Sequence, residues 1–247
     1  MNAPQEETFV SHLVELRDRL LRAVIAVGVV FIILMIWPGA AYFWDTLATP
    51  LQAALPEGTK MIATGVITPF MIPIKLTGMV SFVVALPYVL YQAWAFVAPG
   101  LYQHEKKLAL PLVFSSTFLF LAGIAFCHYV VFGSVFRFIA EFTPSSITPA
   151  PDIEAYLSFV LTMFVAFGVT FEVPIVVVVL VYFGVVTVEK LVEARGYVIV
   201  GAFVVAAVVT PPDVMSQLFL AIPLCLLYEL GIIIARAVGK RQQELLE

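Results

Sequence analysis

The chain has 247 residues, 62% hydrophobic and 12% charged, with a mean hydropathy of +1.04. A soluble domain carries about 25% charged residues, so the composition excludes that class and indicates a polytopic membrane protein. The net charge of −4 decides little, because the distribution of charge along the chain matters more than its sum.

The segment Met1–Thr8 is acidic and polar, which argues against a cleavable signal peptide. Behind it lies the polar stretch Ser11-His-Leu-Val-Glu-Leu-Arg-Asp-Arg19, which runs into the first apolar segment. A spanning helix needs about 20 apolar residues to cross ~30 Å of hydrocarbon. Residues 20–37 qualify, interrupted only by Arg22, which can snorkel to the near interface. The stretch from Pro38 to Pro73 mixes prolines, charges and aromatics, and suits an interfacial layer better than a span. Residues 74–98 form the second span, with a start as early as Pro69 allowed, and Pro87 predicts a kink in it.

Pro99-Gly100 ends that span, and the short reversal Leu101–Lys107 leads into the third, residues 108–131. Residues 132–152, with Pro144, Pro149 and Pro151, read as an external loop holding a short amphipathic piece around 136–142. The fourth span covers 155–183, and 184–196 is a charged loop. The fifth covers 197–209, cut off by Thr210-Pro-Pro-Asp213, and the sixth covers 218–235. At 1.5 Å per residue the fifth run reaches only about 20 Å, so either the bilayer thins beside this hairpin or flanking residues lengthen the helices.

Ten of the 13 basic residues, including Arg17, Arg19, Lys106, Lys107, Lys190 and Arg236, fall on one side of this topology. The positive-inside bias then places both termini in the cytoplasm. The segment Ser11–Arg19 and the loop around Glu105 share that side. Glu15 and Arg19 have the spacing of an ordinary solvated helix pair. Beside Glu105, though, Glu15 makes a two-carboxylate site suited to two guanidinium groups, each able to form a forked charge-assisted pair.

Glu172 lies well inside the fourth span, where a charge costs roughly 2.5–3.5 kcal/mol on insertion scales. Pro174 leaves the Thr170 carbonyl without its helical donor. The carboxyl beside this kink is either a docking point or packing glue between helices. Glu229 sits nearer the cytoplasmic end of the sixth span, where it can snorkel. Asp213 and Gln217 stand at the external mouth of the last hairpin, and Asp213 also suits a helix N-cap.

Catalytic and metal signatures are missing from the sequence. It contains no phosphate-binding G-x-x-x-x-G-K-[ST] loop and no G-x-S-x-G elbow, and His104-Glu105 lacks the second histidine of H-E-x-x-H. His12 and His128 have no clustered ligands. Cys127 and Cys225 have no zinc or redox spacing and read as small apolar residues. The expectation is a protein that is not an enzyme, holds no cofactor and binds no nucleic acid.

Four segments carry a family resemblance: Ser11–Arg19, Phe96–Lys107, Phe167-Gly-Val-Thr-Phe-Glu-Val-Pro174 and Thr210-Pro-Pro-Asp213. In order and spacing, from about Ser11 to Ala235, they resemble the TatC family, the multispanning receptor subunit of the bacterial twin-arginine protein translocase. The resemblance implies an all-α bundle of six transmembrane helices, cupped around an intramembrane groove. It implies export of folded proteins across the inner membrane, driven by the proton motive force. The implied partners are the single-span subunits TatA and TatB, within homo- and hetero-oligomers in the lipid bilayer, and the twin-arginine signal peptides of precursor proteins. It also assigns Glu15, Arg17, Phe96, Leu101 and Glu105 to signal-peptide binding. Glu172 and Gln217 go to intramembrane polar contacts with partners, and Pro50 and Asp213 to the external mouth, with no chemical role evident for Pro50.

The residues alone leave a second reading, a proton-coupled small-solute transporter using Glu172 as a relay. Against it, no second ionisable group stands clearly at mid-membrane, and paired cytoplasmic glutamates have no role in solute transport.

Overall fold

In the computed structural model, the structure describes residues 3–40, 42–44, 47, 61–97, 106–144, 150–210 and 213–244. They are almost entirely helical. The helices are α1 (Ala3–Ile36), α2 (Thr68–Val97), α3 (Lys106–Phe126), α4 (Phe132–Phe142), α5 (Ile153–Phe171), α6 (Val173–Tyr182), α7 (Val188–Glu193), α8 (Arg195–Val209) and α9 (Val214–Glu244). A π-helical turn, Cys127–Val131, joins α3 to α4 without a break. Five stretches are long and apolar enough to cross a membrane: Val10–Ile36, Thr68–Phe96, Leu110–Phe142, Ile153–Tyr182 and Val214–Val238. Arg195–Val209 is a shorter apolar helix. This is the all-helical polytopic architecture that the composition indicates.

The helices exceed the apolar runs at several ends, each for a local reason. Residues 132–142 continue the third span, where the prolines further on suggest a loop. Phe132, Val135 and Phe136 recur at helical spacing and are buried, and their rings pack against Tyr156, Phe159 and Phe164 of α5 at centroid distances of 5.4–5.9 Å. That aromatic contact carries the helix past its apolar run. The fourth span divides at Glu172 into α5 and α6. Pro174 cannot donate to the preceding turn, and the Glu172 N–H turns back to Thr170 and Val169. The last helix starts at Val214, because the Asp213 carboxylate accepts from the Ser216 N–H at 2.7 Å. Of the two helices of the last hairpin, α8 is therefore the short one, at about 22 Å. Residues 188–193 do not lengthen it; they form the separate helix α7, whose N-cap is Thr187.

The chain divides into two compact units, Met1–Trp44 with Pro73–Thr117, and Asp45–Ile72 with Phe118–Glu247. In the first, the Trp94 indole N–H donates to Ser116 Oγ at 2.8 Å, joining α2 to α3. In the second, α9 packs most extensively on α6 and then on α8. Lipid is as apolar as leucine, so helices associate through close packing rather than water exclusion. Gly231 supplies such a contact: a Cβ there would stand 3.0 Å from Pro174 Cα and from Val177 Cβ. Gly123 does the same for α3 on α5, where a Cβ would come 2.5 Å from the Phe167 carbonyl oxygen. Around Val177 a small core forms with Leu191, Tyr228, Ile232 and Ala235, and the Tyr228 hydroxyl donates to the Leu191 carbonyl at 2.8 Å.

Asp152 ties the segment before α2 to the start of α5. Its Oδ1 accepts from the N–H groups of Glu154 and Ala155 at 2.9 and 3.1 Å. Its Oδ2 accepts from the Thr64 hydroxyl at 2.6 Å and the Thr64 N–H at 3.2 Å. The backbones of Ile62 and Ile153 are bonded alongside, and Thr68 Oγ1 donates to Glu154 at 3.1 Å. The Thr64 hydroxyl first, then the Ala155 N–H, hold the Asp152 carboxyl below the ordinary aspartate range.

Two outcomes are expected. Gly231→Ala lowers thermal stability in detergent by about 1–3 kcal/mol through overpacking. Gly201→Ala, with nothing within 4 Å of its Cβ, is neutral or slightly stabilising. For Asp152, a carboxylate with a depressed native pKa stabilises fully above its unfolded value of about 4. That contribution is lost as pH falls through the lowered native value. Asp152→Ala should reduce the melting temperature at pH 7 and narrow its gap to the parent in acid, read by unfolding scans across pH.

Candidate functional site

The polar segment Ser11–Arg19 is part of α1, whose helix begins well before the apolar run. Helical spacing puts His12, Glu15 and Arg19 on one face and Arg17 on the other. Glu15 Oε1 accepts from Arg19 Nε at 2.9 Å and Nη2 at 2.6 Å. The second carboxylate oxygen, Oε2, accepts no hydrogen bond among the described residues and faces His12 Nδ1 at 3.9 Å. Arg17 is engaged with its neighbour Asp18, from Nε at 3.0 Å and Nη2 at 2.8 Å, and is largely exposed.

Phe96, at the end of α2, stacks on the His12 ring, with centroids 4.4 Å apart and planes inclined by 19°. The structure therefore gathers Glu15 and Phe96 around a histidine that spacing alone did not single out. Leu101 and Glu105 lie outside the described residues, as does Pro50. The Trp94–Ser116 bond joins α2 and α3, the helices that precede and follow Leu101 and Glu105 in sequence.

In the second unit, Glu172 stands half-buried at the junction of α5 and α6, where its carbonyl accepts from Val176 N–H at 3.0 Å. Beside it in sequence, Val169, Thr170 and Val173 line an apolar groove of about 610 Å³ with Val205, Val209 and Leu224 from α8 and α9. At the far end of that hairpin Asp213 caps α9. Gln217 Nε2 donates to the Phe203 carbonyl at 3.3 Å, joining α9 to α8. Thr210 Oγ1 closes α8 onto the Ala206 carbonyl at 2.8 Å.

One ion pair escaped the sequence reading. Arg195 Nη2 donates to Glu229 Oε2 at 2.7 Å, and Arg195 Nε lies 2.7 Å from Oε1, joining the start of α8 to α9. Arg195 and Glu229 stand at nearly equal chain distances from the Thr210–Asp213 turn, a register signal that could have found them. Among the described residues, no three His, Cys, Asp or Glu side chains converge as a metal-holding group. Chemically the arrangement offers a carboxylate held through one oxygen by Arg19 beside the His12–Phe96 stack, and, in the second unit, an apolar groove lined by sequence neighbours of Glu172.

Comparison with known proteins identifies the family. Residues 11–223 match the family described as "Sec-independent protein translocase protein (TatC)". The chain is 50% identical over 243 residues to the Sec-independent protein translocase protein TatC of Haemophilus influenzae, covering 98% of this chain and 94% of that one. It is 47% identical over 241 residues to the Escherichia coli K12 protein of the same name, covering 97% and 93%. Its fold is similar to the crystal structure of the twin arginine translocase receptor TatC, with a TM-score of 0.81 at 40% identity, covering 92% of this chain and 99% of that one. With the family profile and full-length relatives in agreement, the chain belongs to the TatC family of Sec-independent protein translocase proteins.

Proposed function

We propose that the chain is the receptor and scaffold of a twin-arginine translocase, binding signal peptides with paired arginines and exporting folded proteins across the inner membrane. Membership of a protein translocase family supports transport rather than catalysis. The observation that carries the peptide site is the Glu15 carboxylate, with Oε1 held by Arg19 and Oε2 free of hydrogen bonds among the described residues, beside the His12–Phe96 stack. A guanidinium arriving at Oε2 gains a charge-assisted bond, while Arg19 keeps the carboxylate oriented. Glu105 is the second carboxylate of this reading, and Leu101 and Arg17 join it on motif position. The excess of basic residues on one side supports a multi-pass protein with both termini in the cytoplasm.

The proton motive force is the energy source in this reading, and TatA and TatB are the partners, in a homo- and hetero-oligomer. Their transmembrane helices dock on the last hairpin, near Glu172 and Gln217, where the apolar groove supplies a surface and Glu172 a polar contact. Pro50 and Asp213 belong to the external mouth, Asp213 through its cap on α9.

A charge-assisted hydrogen bond contributes roughly 1.5–3 kcal/mol, so Glu15→Ala or Glu105→Ala should each weaken crosslinking of a twin-arginine precursor about tenfold or more. Unchanged crosslinking in both variants rules the peptide site out.

Intramembrane polar contacts contribute about 0.6–2 kcal/mol. Glu172→Ala should therefore reduce co-purification of the single-span partners about threefold or more, while Glu172→Gln retains it. If both variants accumulate and assemble like the parent, Glu172 has no docking role. If Glu172→Ala abolishes accumulation of the protein itself, packing is its role.

A further inference from the structure

His12 has no ligand spacing in sequence, yet in the structure it is the residue through which Glu15 and Phe96 meet. Its ring lies nearly parallel to Phe96, with centroids 4.4 Å apart. Its Nδ1 faces the open oxygen of Glu15 at 3.9 Å, beyond hydrogen-bond range. The contact that fixes geometry is therefore the stack, not a bond to the carboxylate. His12 sits three residues before Glu15 on the same face of α1, so the stack connects that face to the end of α2.

Both groups remain accessible, with half of the His12 side chain and 37% of the Glu15 side chain exposed. A stack on an accessible face does little for a core. It does fix the spacing between an aromatic surface and a carboxylate. A peptide that places a cation on Glu15 meets the aromatic edge at a set distance, with no ordering left to be done on binding.

We infer that His12 is a positioning residue of the signal-peptide site, holding Phe96 in register with the Glu15 carboxylate by aromatic stacking. This rests on the peptide-binding reading above. Aromatic pairing of this kind is worth roughly two- to tenfold in an equilibrium constant.

The test uses the full chain in lipid nanodiscs and a fluorescent peptide carrying paired arginines, with affinity measured by anisotropy. Thermal unfolding of each variant reports its fold. His12→Ala should weaken binding about three- to tenfold without altering the melting temperature. His12→Phe, which keeps the stack and removes the ring nitrogens, should restore binding to within twofold of the parent. His12→Gln, polar but unable to stack, should behave like His12→Ala.

Parent-like binding by His12→Ala overturns the inference, and so does failure of His12→Phe to restore it in a folded protein. A fall in melting temperature that tracks the loss of affinity across the three variants overturns it as well, by making the role structural. Glu15→Ala and Glu105→Ala serve as separate arms. If both bind like the parent, the peptide-site reading itself fails. If they lose binding while the His12 variants do not, only the role of His12 fails.

Discussion

In hydrocarbon every backbone N–H and C=O must find a partner within the protein, and several irregularities among the described residues are built around that demand. Where α5 ends, the Glu172 N–H bonds to carbonyls of the preceding turn, and the Glu172 carbonyl receives Val176. Where α8 ends, the Thr210 hydroxyl takes the Ala206 carbonyl, and Asp213 accepts from the first turn of α9. Inside α2, Thr77 donates to the carbonyl of Pro73, and Ser81 to that of Thr77, both from fully buried positions. At the Pro174 break the Glu172 N–H takes the carbonyl that the proline leaves without a donor, while the hydroxyls of Thr77, Ser81 and Thr210 add second donors to carbonyls one turn back.

The same economy shapes the candidate sites. Glu15 stands next to the first apolar run, where Arg19 occupies one of its oxygens and the other lies 3.9 Å from His12 Nδ1. Glu229, deeper in α9, has Arg195 as its counter-ion. Glu172 differs, because it combines a carboxyl with a helix break beside an apolar groove.

Much of this was legible before any coordinates. The apolar runs gave the spans, because the hydrocarbon thickness sets a minimum length that chance rarely meets, and Pro174 announced the break at Glu172. The continuation through the π-helical turn to Phe142 was not legible. It depends on Phe132 and Phe136 meeting aromatics of α5, a tertiary contact with no local signature. The independence of α7 was hidden for a different reason: one threonine cap in a charged loop decides it. At the site, the charges of Glu15 and Arg19 were readable from spacing. The contact of His12 with Phe96 was not, because it joins residues from two helices far apart in sequence.

α1 buries little: only 6% of its most apolar window lies inside the protein. A helix that buries so little of its apolar stretch closes its backbone bonds within itself and leaves most of that surface to lipid. During synthesis such a helix can leave the insertion machinery and stand alone in lipid, its polar amino-terminal turns already projecting from the surface. Its contacts with other helices, such as the stack of His12 on Phe96, can form afterwards without first rescuing it from lipid.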